Sequence, residues 1–479
     1  MDKRLKSFCA AALAAVATAG VLLPPAAPAL AQDRAGAERA APAPAPRTDG
    51  PPNIVLIMAD DMGVEAINAY GGQYATPNID ALSRQGMRLD QAFATPLCTP
   101  SRTRLMTGRE NASNYRAFGY LDPAETTFAQ VLQGAGYTTA IAGKWQLAGN
   151  GFDGRQGMMP LDAGFDEAML WQVASGPARG SRYWGPTFWI NGRTVMNEEG
   201  FGPDLTTQFA RDFIRRNRER PFLLYYPIVL PHSPFVPTPM SMDAQGAQAR
   251  FAGMVSYLDT LVGQVLAELH AQGLDDNTLV IFTGDNGTNR QIVSYRDGHE
   301  VQGGKGTPTL NGTHVPMIVR WPGRVAPGSS SAALFDFMDM LPTLADVAGV
   351  SIDGVTHDGV SQLPVITGQS TGVRDTIYMH YAPAWMFEPT RFVFNSQYKL
   401  YADGRFVALD MVSGQETDVA NPTGEAARTL ARFRTIMARD VTPLDQTRFP
   451  MCAGNQSNRP GVAAEIAGCP ELREMQGNE

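Results

Sequence analysis

Basic residues are outnumbered in this sequence, long internal hydrophobic runs are missing, and cysteine is scarce. The 479 residues include 39 lysines and arginines against 47 aspartates and glutamates, so the net charge is −8. This balance gives no support for nucleic-acid binding, which usually needs a basic face, although a locally basic pocket on an acidic protein can still take an anion. Beyond the N-terminal region, no stretch approaches the uncharged apolar length that a transmembrane helix requires.

The first 31 residues have the pattern of a secretory signal peptide. Lys3, Arg4 and Lys6 precede an alanine-rich apolar segment, and residues 29–31 read Ala-Leu-Ala. A basic start, a short apolar segment and a small-residue cleavage site predict export, hence a periplasmic or secreted protein. The apolar segment is short for a membrane span, so we expect no stable membrane anchor.

The few cysteines are unevenly placed. Removal of the signal peptide would leave three of the four. In an oxidising compartment the natural pair is Cys452 with Cys469, which would close a small loop near the C-terminus. Cys98 is then left over, and an unpaired cysteine in an exported protein needs a chemical explanation.

Uninterrupted apolar runs alternate with helical patterns after residue 52. Residues 53–59, NIVLIMA, show no apolar/polar alternation, which is typical of a strand buried on both faces of a parallel or mixed sheet. Further strands are predicted at 87–94, 137–142, 222–229, 278–283 and 315–320, and helices at 77–86, 126–135, 204–218 and 247–272. The repeated strand, loop and helix order predicts an α/β sandwich with a central, mostly parallel or mixed sheet.

The pattern changes near residue 374. Short strands are predicted at 391–395, 398–402 and 405–409, with turn residues between them and a helix at 425–439. This favours a small antiparallel sheet in a C-terminal subdomain. The predicted organisation is a signal peptide (1–31), an Ala/Pro-rich linker (32–52), a main domain (53–373) and a C-terminal subdomain (374–479).

Polar side chains follow several predicted strands, at the sheet edge where open α/β sheets place ligands. These residues are Asp60, Asp61, Lys144, His232, Asp285 and Asn286. Carboxylate and amide oxygens are ligands for a hard divalent cation, and they suit calcium better than zinc. Asp and Asn also serve in helix caps and turns, but two such pairs beside the motif described next favour a metal site.

The segment around Cys98 carries the most specific motif. It reads Cys-Thr-Pro-Ser-Arg at residues 98–102, then Thr-Arg-Leu-Met and Thr-Gly-Arg. Thr99 is a candidate N-cap and Pro100 suits the first helical position, so a short helix is predicted at 101–106, with free N–H groups for an anion. The run resembles the C-x-P-S-R … T-G-R signature of the type I sulfatases, which have an alkaline phosphatase-like fold.

That resemblance implies a complete site. A maturation enzyme would oxidise Cys98 to formylglycine, whose hydrate is the nucleophile, and residue 98 would join Asp60, Asp61, Asp285 and Asn286 around one calcium ion. The other implied roles are hydrate stabilisation by Arg102, sulfate binding by Lys144 and Lys305, and sulfate contact with protonation of the leaving alcohol by His232.

Gln146 departs from the family pattern. The family often has Gly-Lys-Trp-His-Leu-Gly where residues 143–148 read Gly-Lys-Trp-Gln-Leu-Ala, and that histidine is assigned to deprotonate the second hydroxyl of the hydrate. Glutamine can hydrogen-bond but is no base at neutral pH. A metal-bound water, a carboxylate or His314 would replace it, or sulfate release would be slow; His299 is the other nearby histidine.

The implied activity is hydrolysis of sulfate monoesters of a carbohydrate or an aryl alcohol. Two alternatives stay open: a phosphonate or phosphate ester hydrolase of the same superfamily, and a non-catalytic binder of sulfated glycans that lost turnover through Gln146. Trp184, Trp189 and Trp385 are candidates for a sugar site, because aromatic faces stack on sugar rings. Arg104 is a fourth candidate for the same site.

Overall fold

The computed structural model describes residues 50–149, 156–173, 180–197, 199–383, 389–439 and 443–444, which all belong to one compact unit spanning residues 45–479. The predicted signal peptide, nearly all of the predicted linker and the predicted Cys452–Cys469 pair lie outside the described residues. Within the described ranges, no helix has both the length and the apolar character to cross a bilayer.

The described residues form seventeen strands and ten α-helices, besides four short 3-10 helices. The strands are β1 (Asn53–Ala59), β2 (Met87–Phe93), β3 (Thr138–Lys144), β4 (Glu167–Trp171), β5 (Thr187–Ile190), β6 (Arg193–Met196), β7 (Phe222–Pro227), β8 (Thr278–Gly284), β9 (Val293–Arg296), β10 (His299–Gln302), β11 (His314–Arg320), β12 (Ser329–Asp336), β13 (Ile377–Tyr381), β14 (Thr390–Phe394), β15 (Tyr398–Tyr401), β16 (Phe406–Leu409) and β17 (Glu416–Asp418). The helices are α1 (Pro77–Gln85), α2 (Cys98–Thr107), α3 (Asn111–Asn114), α4 (Phe128–Gly134), α5 (Gly202–Arg216), α6 (Gly246–Ala271), α7 (Leu310–Thr313), α8 (Met340–Ala348), α9 (Leu363–Ile366) and α10 (Gly424–Met437).

A ten-stranded mixed sheet forms the centre, in the order β12-β2-β11-β8-β1-β7-β3-β4-β5-β6. The four central strands β8, β1, β7 and β3 are mutually parallel, whereas β11 runs antiparallel to both of its neighbours. Every residue of β1 is buried, as its unbroken apolar sequence predicts for a strand covered on both faces.

Helices cover the two faces of this sheet. Alternate side chains of β1 enter separate apolar clusters: Val55 and Ile57 pack in one cluster with residues of α1, α5 and α6, and Ile54 and Leu56 pack in the other with residues of α2, α4 and α8. Successive side chains of a strand point to opposite faces, so one short sequence anchors both layers of the predicted sandwich.

The C-terminal strands form a five-stranded antiparallel sheet, in the order β13-β14-β15-β16-β17. One group of its side chains packs with α10, around Phe406 and Phe433. Another group packs with Phe93 and Leu97, directly before α2. The small antiparallel sheet predicted from the sequence is therefore present, and it supports the helix that carries Cys98.

Candidate active site

The parallel strands bring the predicted site residues to one edge of the sheet. Asp60 and Asp61 follow β1, Lys144 ends β3, His232 lies in the loop after β7, and Asp285 and Asn286 follow β8. The backbone N–H of Asp61 donates to Oδ1 of Asp285 at 2.9 Å, and Asp61 has a left-handed φ of 66°. Such backbone strain in a non-glycine residue persists where the surrounding structure enforces it, commonly at functional sites.

Glycine is required where β3 approaches β7. Gly143 has a φ of 125°, and a Cβ built on it would lie 2.0 Å from the carbonyl oxygen of Pro227. No larger side chain fits there without moving the backbone. The close approach places the next residue, Lys144, among the carboxylates.

Helix α2 begins earlier than the motif alone predicts. Its N-cap is Leu97, with extended backbone, and Cys98 already lies in the first turn, so the predicted capping role of Thr99 is wrong. The hydroxyl of Thr99 instead accepts a hydrogen bond from the backbone N–H of Gly119 at 3.1 Å. This tertiary partner outweighs the local preference of threonine for an N-cap, and it leaves Cys98 buried at the helix start.

Cys98 lies directly against the paired aspartates. Its Sγ is 3.5 Å from Oδ1 of Asp60 and 3.5 Å from Oδ1 of Asp61. Lys144 Nζ contacts both oxygens of Asp60, at 2.8 and 2.9 Å. Arg102, one turn along α2 from Cys98, donates from Nη2 to Oδ2 of Asp285 at 2.8 Å. Cations and carboxylates thus alternate around the cysteine.

A glycine-rich loop brings Lys305 to the opposite side of Asp61. Its Nζ lies 2.9 Å from Oδ2 of Asp61 and 3.0 Å from Nε2 of His232. A Cβ on the preceding Gly304 would lie 2.3 Å from the backbone of Asn311. The glycine therefore lets the loop pass close enough for the lysine to reach the site.

The carboxylate and amide oxygens at this point suit a hard cation, and a thiol and an imidazole lie beside them. Asp60, Asp61, Cys98 and His232 each offer one ligand atom, and these atoms lie within 4.8 Å of one another. Oδ1 of Asn286 is buried and has no hydrogen-bond partner among the described residues, while its Nδ2 donates to Oδ1 of Asp61 at 2.9 Å. A buried acceptor without a donor is costly unless a ligand completes it, and oxygen ligands of this kind suit calcium.

Burial disfavours the charged form of the carboxyl groups, and neighbouring charges determine how far the pKa of each one shifts. Although burial acts to raise it, the pKa of Asp60 is held well below its usual range by the charges of Lys144 and Arg102. Burial, followed by the charge of Asp60, raises the pKa of Asp285 to about 6. The two carboxyl groups therefore differ in pKa although both are buried.

The thiol and the imidazole are both held neutral here. Burial, with the charge of Asp285, raises the pKa of the Cys98 thiol well above its usual value. Burial lowers the pKa of His232 well below its usual value; Lys305 adds to this effect and Asp61 opposes it. An unmodified Cys98 is thus a protonated thiol, which is a weak nucleophile.

Gln146 lies two residues beyond Lys144, in a left-handed conformation with a φ of 59°. Its side chain is buried, and its Oε1 has no hydrogen-bond partner among the described residues. Its backbone N–H donates to the carbonyl oxygen of Gln172 at 3.2 Å. The amide thus keeps hydrogen-bonding capacity at the position of the family histidine.

The structure excludes Arg104 from a sugar site and His314 from the role of a base. Arg104 does not belong to a sugar site, because it is fully buried and both oxygens of Asp336 accept hydrogen bonds from it at 2.6 Å. Burial lowers the pKa of His314 to about 3, and its Nε2 donates to the carbonyl oxygen of Asp90 at 2.8 Å. His314 is therefore a structural residue and no base for sulfate release, and His299 is exposed on β10.

The tryptophans predicted for a sugar site differ in exposure. Trp184 is 40 % exposed, whereas Trp189 is half-buried and packs against an apolar cluster of the core. Trp385 lies outside the described residues.

Sequence reasoning missed one charged residue beside the site. Arg182 is buried, and its Nη1 lies 2.9 Å from Nδ1 of His232. Its guanidinium also stacks on the ring of Trp171, 4.1 Å from the ring centre. The segment that carries Arg182 follows neither a helical nor a strand period and matches no motif, so the sequence held no signal for it.

Family profiles and individual relatives from known sequences both match this chain to sulfatases. A sequence profile of the sulfatase family matches residues 52–350, and one described as N-sulphoglucosamine sulphohydrolase, C-terminal, matches residues 310–407. The chain is 30% identical to steryl-sulfatase of Mus musculus, over 72% of this chain and 70% of the relative. It is 32% identical to arylsulfatase A of Bos taurus, over 69% of this chain and 71% of the relative.

Solved structures share the fold at lower sequence identity. The structure of Ps i-CgsB in complex with k-i-k-neocarrahexaose matches with a TM-score of 0.70 and 22% identity, over 89% of this chain and 99% of the other. A phosphonate monoester hydrolase of Agrobacterium radiobacter matches with a TM-score of 0.59 and 20% identity, over 81% of this chain and 95% of the other. The fold alone therefore does not separate sulfate from phosphonate esters.

Proposed function

The chain belongs to the sulfatase family, has its alkaline phosphatase-like fold and is a sulfuric ester hydrolase, and from this premise we propose a calcium-dependent enzyme with formylglycine at residue 98. One observation carries the proposal: predicted site residues from separate parts of the chain lie together and buried. Asp60, Asp61, Cys98 and His232 offer ligand atoms within 4.8 Å of one another, and Asp285 and Asn286 are hydrogen-bonded to Asp61. Chance turns and caps would not bring Asp60, Asp61, Cys98, Asp285 and Asn286 together beside two lysines and a histidine.

Calcium would be held by Asp60, Asp61, Asp285 and Asn286, with residue 98 beside them. When bound, the ion supplies Lewis-acid activation of the nucleophile and draws charge from the sulfate oxygens. The unpartnered Oδ1 of Asn286 and the short approach of Cys98 Sγ to both aspartates support this assignment.

Residue 98 would be the nucleophile after oxidation by a maturation enzyme. The hydrated aldehyde provides one hydroxyl for attack on sulfur and a second through which sulfate is expelled, an exit that serine or cysteine lacks. Arg102 lies between residue 98 and Asp285 and donates to that carboxylate. Its role is to hold the carboxylate and the hydrate in place with a permanently charged guanidinium.

Lys144 and Lys305 would bind the sulfate group from two sides. Each now contacts one aspartate, Asp60 or Asp61, so both ammonium groups already face the nucleophile. His232, whose Nε2 lies 3.0 Å from Lys305, would contact the same sulfate. The negative charge of the bound sulfate would raise the pKa of the imidazole, and the protonated ring would deliver its proton to the leaving alcohol. A positioned acid of this kind contributes about 10²- to 10⁴-fold in rate.

Gln146 would position the hydrate or the substrate by hydrogen bonding, and a weaker base would accept the proton that the family histidine normally takes. The buried Oε1 without a partner supports a hydrogen-bonding role. This assignment keeps the chain a competent enzyme and disfavours the non-catalytic glycan binder.

The substrate class is a sulfate monoester of a carbohydrate or an aryl alcohol. Relatives named for aryl, steryl and N-acetylgalactosamine-6-sulfate chemistry support an alcohol ester. Export through a cleaved signal peptide rests on the sequence pattern of the first 31 residues alone. Export would also bring the chain to a compartment where an odd cysteine would otherwise be a liability.

Relative rates on three ester classes test this function. Protein produced together with a formylglycine-generating enzyme is assayed on an aryl sulfate, an aryl phosphonate and a phosphodiester that share one leaving group. We expect the highest kcat/KM on the sulfate and no turnover by Cys98→Ala. A higher kcat/KM on the phosphonate would favour the alternative hydrolase, and tight binding of sulfated glycans without product release would favour the binder.

A further inference from the structure

Three consecutive residues outside the predicted catalytic and metal-binding set hold the loop that carries His232. Arg182, Tyr183 and Trp184 precede β5, and their side chains contact the segment 229–237 at His232 and on both sides of it. We propose that this trio, termed the brace, is the positioning element that orients His232 for proton donation. The inference deepens the proposed function and rests on the role given there to His232.

Arg182 fixes the imidazole ring itself. Its Nη1 lies 2.9 Å from Nδ1 of His232 and can donate to it while this nitrogen carries no proton. When Nδ1 is protonated it donates instead to the carbonyl oxygen of Ser233, which lies against the same nitrogen. The far edge of the ring, Nε2, then faces Lys305 at 3.0 Å and Oδ2 of Asp61 at 3.5 Å. Contacts on Nδ1 therefore aim Nε2 at the place where sulfate and leaving oxygen would lie.

Tyr183 and Trp184 fix the backbone of the same loop. The hydroxyl of Tyr183 donates to the carbonyl oxygens of Val229, at 2.9 Å, and of His232. The indole N–H of Trp184 donates to the carbonyl oxygen of Pro237 at 2.9 Å. The loop is thus held before, at and after the histidine.

The brace is itself anchored to the scaffold. Arg182 stacks on Trp171 at the end of β4, 4.1 Å from the ring centre. The backbone N–H of Gly202, at the start of α5, donates to the carbonyl oxygen of Tyr183 at 2.8 Å, and Tyr183 stacks on Phe201 with ring centres 5.9 Å apart. A positioning residue must be rigid to hold a catalytic group within a fraction of an ångström, and these contacts supply that rigidity.

A series of aryl sulfates with leaving phenols of decreasing acidity tests the brace. A basic leaving oxygen depends on proton donation and an acidic one hardly does, so misplacing His232 should slow the poorest leaving group most. For Arg182→Met we expect a loss in kcat/KM on the least acidic phenol at least about tenfold greater than on the most acidic one. Tyr183→Phe should show the same selectivity with a smaller loss.

The controls separate the inference from its premise. His232→Ala should give the strongest selectivity for leaving group, and Arg193→Met, at an exposed position on β6, should change no rate. If His232→Ala is selective while Arg182→Met and Tyr183→Phe lose rate equally on all esters, the brace is structural and the inference fails. If His232→Ala itself loses the same factor in rate on every ester, His232 is not the proton donor, and the positioning role proposed for the brace is also refuted.

Folding of each variant is checked by its thermal unfolding midpoint. Should Arg182→Met not fold, Tyr183→Phe decides alone, because it removes a single hydroxyl group and keeps the stacked ring. Equal losses across the ester series in Tyr183→Phe would then contradict the proposal, and a selective loss would support it.

Discussion

Arg102 and Arg104 stand two residues apart on α2 and enter two different groups of buried charges. Arg102 faces the candidate active site and donates to Asp285. Arg104 faces the other way and donates to both oxygens of Asp336, which neighbours the Arg374–Asp339 pair. Two residues turn a helix by about 200°, so one short motif serves both groups.

The two groups differ in how their carboxylates are paired. In the group around Asp336 and Asp339, every carboxylate oxygen accepts from guanidinium, amide or backbone donors, while Nη1 of Arg104 and Oε1 of Gln362 have no partner among the described residues. In the active-site group the unpartnered atoms include the acceptor Oδ1 of Asn286, which lies beside the paired aspartates. Carboxylates paired with guanidinium groups support the fold, and a buried acceptor beside the paired aspartates is consistent with a cation site.

The same substitution in each group should separate their roles, and the largest effect is expected at the site. For Asp61→Asn we expect a fall in kcat/KM of about 10³-fold or more and loss of stoichiometric calcium, because the proposed metal site would lose a charged ligand. Kinetics and metal analysis measure both quantities. An Asp61→Asn enzyme that retains wild-type activity would remove Asp61 from the metal site.

Asp336→Asn should show the reverse pattern. Removing this charge leaves Arg104 buried without its partner, which costs about 3–5 kcal/mol in the free energy of unfolding. Activity per folded molecule should stay close to the wild-type value at a temperature where the variant is folded. Denaturant unfolding supplies the free energy, and a stability loss smaller than that of Asp61→Asn in calcium-free protein would overturn the distinction.

Gln146 belongs to the active-site group, and we expect its substitution to reduce activity less than Asp61→Asn does. Gln146→Ala should lower the rate about 10- to 100-fold, because a positioning hydrogen bond is lost, and Gln146→His should give no large gain. Pre-steady-state kinetics examine the step itself. A stoichiometric burst of alcohol followed by very slow turnover, cured by Gln146→His, would show that sulfate release is crippled in the natural chain.

A third buried charge, Lys399 of β15, gives the smallest expected effect. Burial lowers its pKa to about 8, with Glu416 opposing, and the ordinary lysine pKa is about 10.4. The unfolded chain thus binds more protons between these values, so the free energy of unfolding should rise with pH, by about 1 kcal/mol from about pH 7.5 to about pH 9. Denaturant titrations of wild type and Lys399→Met measure it, and an equal pH dependence in both would refute this assignment.

Local sequence patterns were enough where local structure decides the outcome. The apolar run before Asp60 predicted a central buried strand, and the chemistry of residues 98–109 predicted the helix of the site. Other strands were missed, most of them because three to five residues of mixed polarity give no clear period; they are β4, β5, β6, β9, β10, β12, β13 and β17. The capping role of Thr99 was wrong because Gly119, a tertiary partner, bonds its hydroxyl.

Long-range contacts account for what the sequence could not predict about the site. Nothing local distinguishes Arg104, which pairs with Asp336, from Arg102, which pairs with Asp285 in the candidate active site. Arg182 reaches His232 across fifty residues of sequence, and no pattern links the two. Such roles depend on which elements the fold brings together, and only the assembled structure supplies that information.

The chemical state of residue 98 decides whether the proposed nucleophile is present. Peptide mass spectrometry is applied to active protein that has been produced with a formylglycine-generating enzyme. We expect that the peptide containing residue 98 carries formylglycine and that specific activity rises in proportion to the converted fraction. A fully active preparation in which residue 98 is entirely unmodified cysteine would contradict formylglycine as the nucleophile.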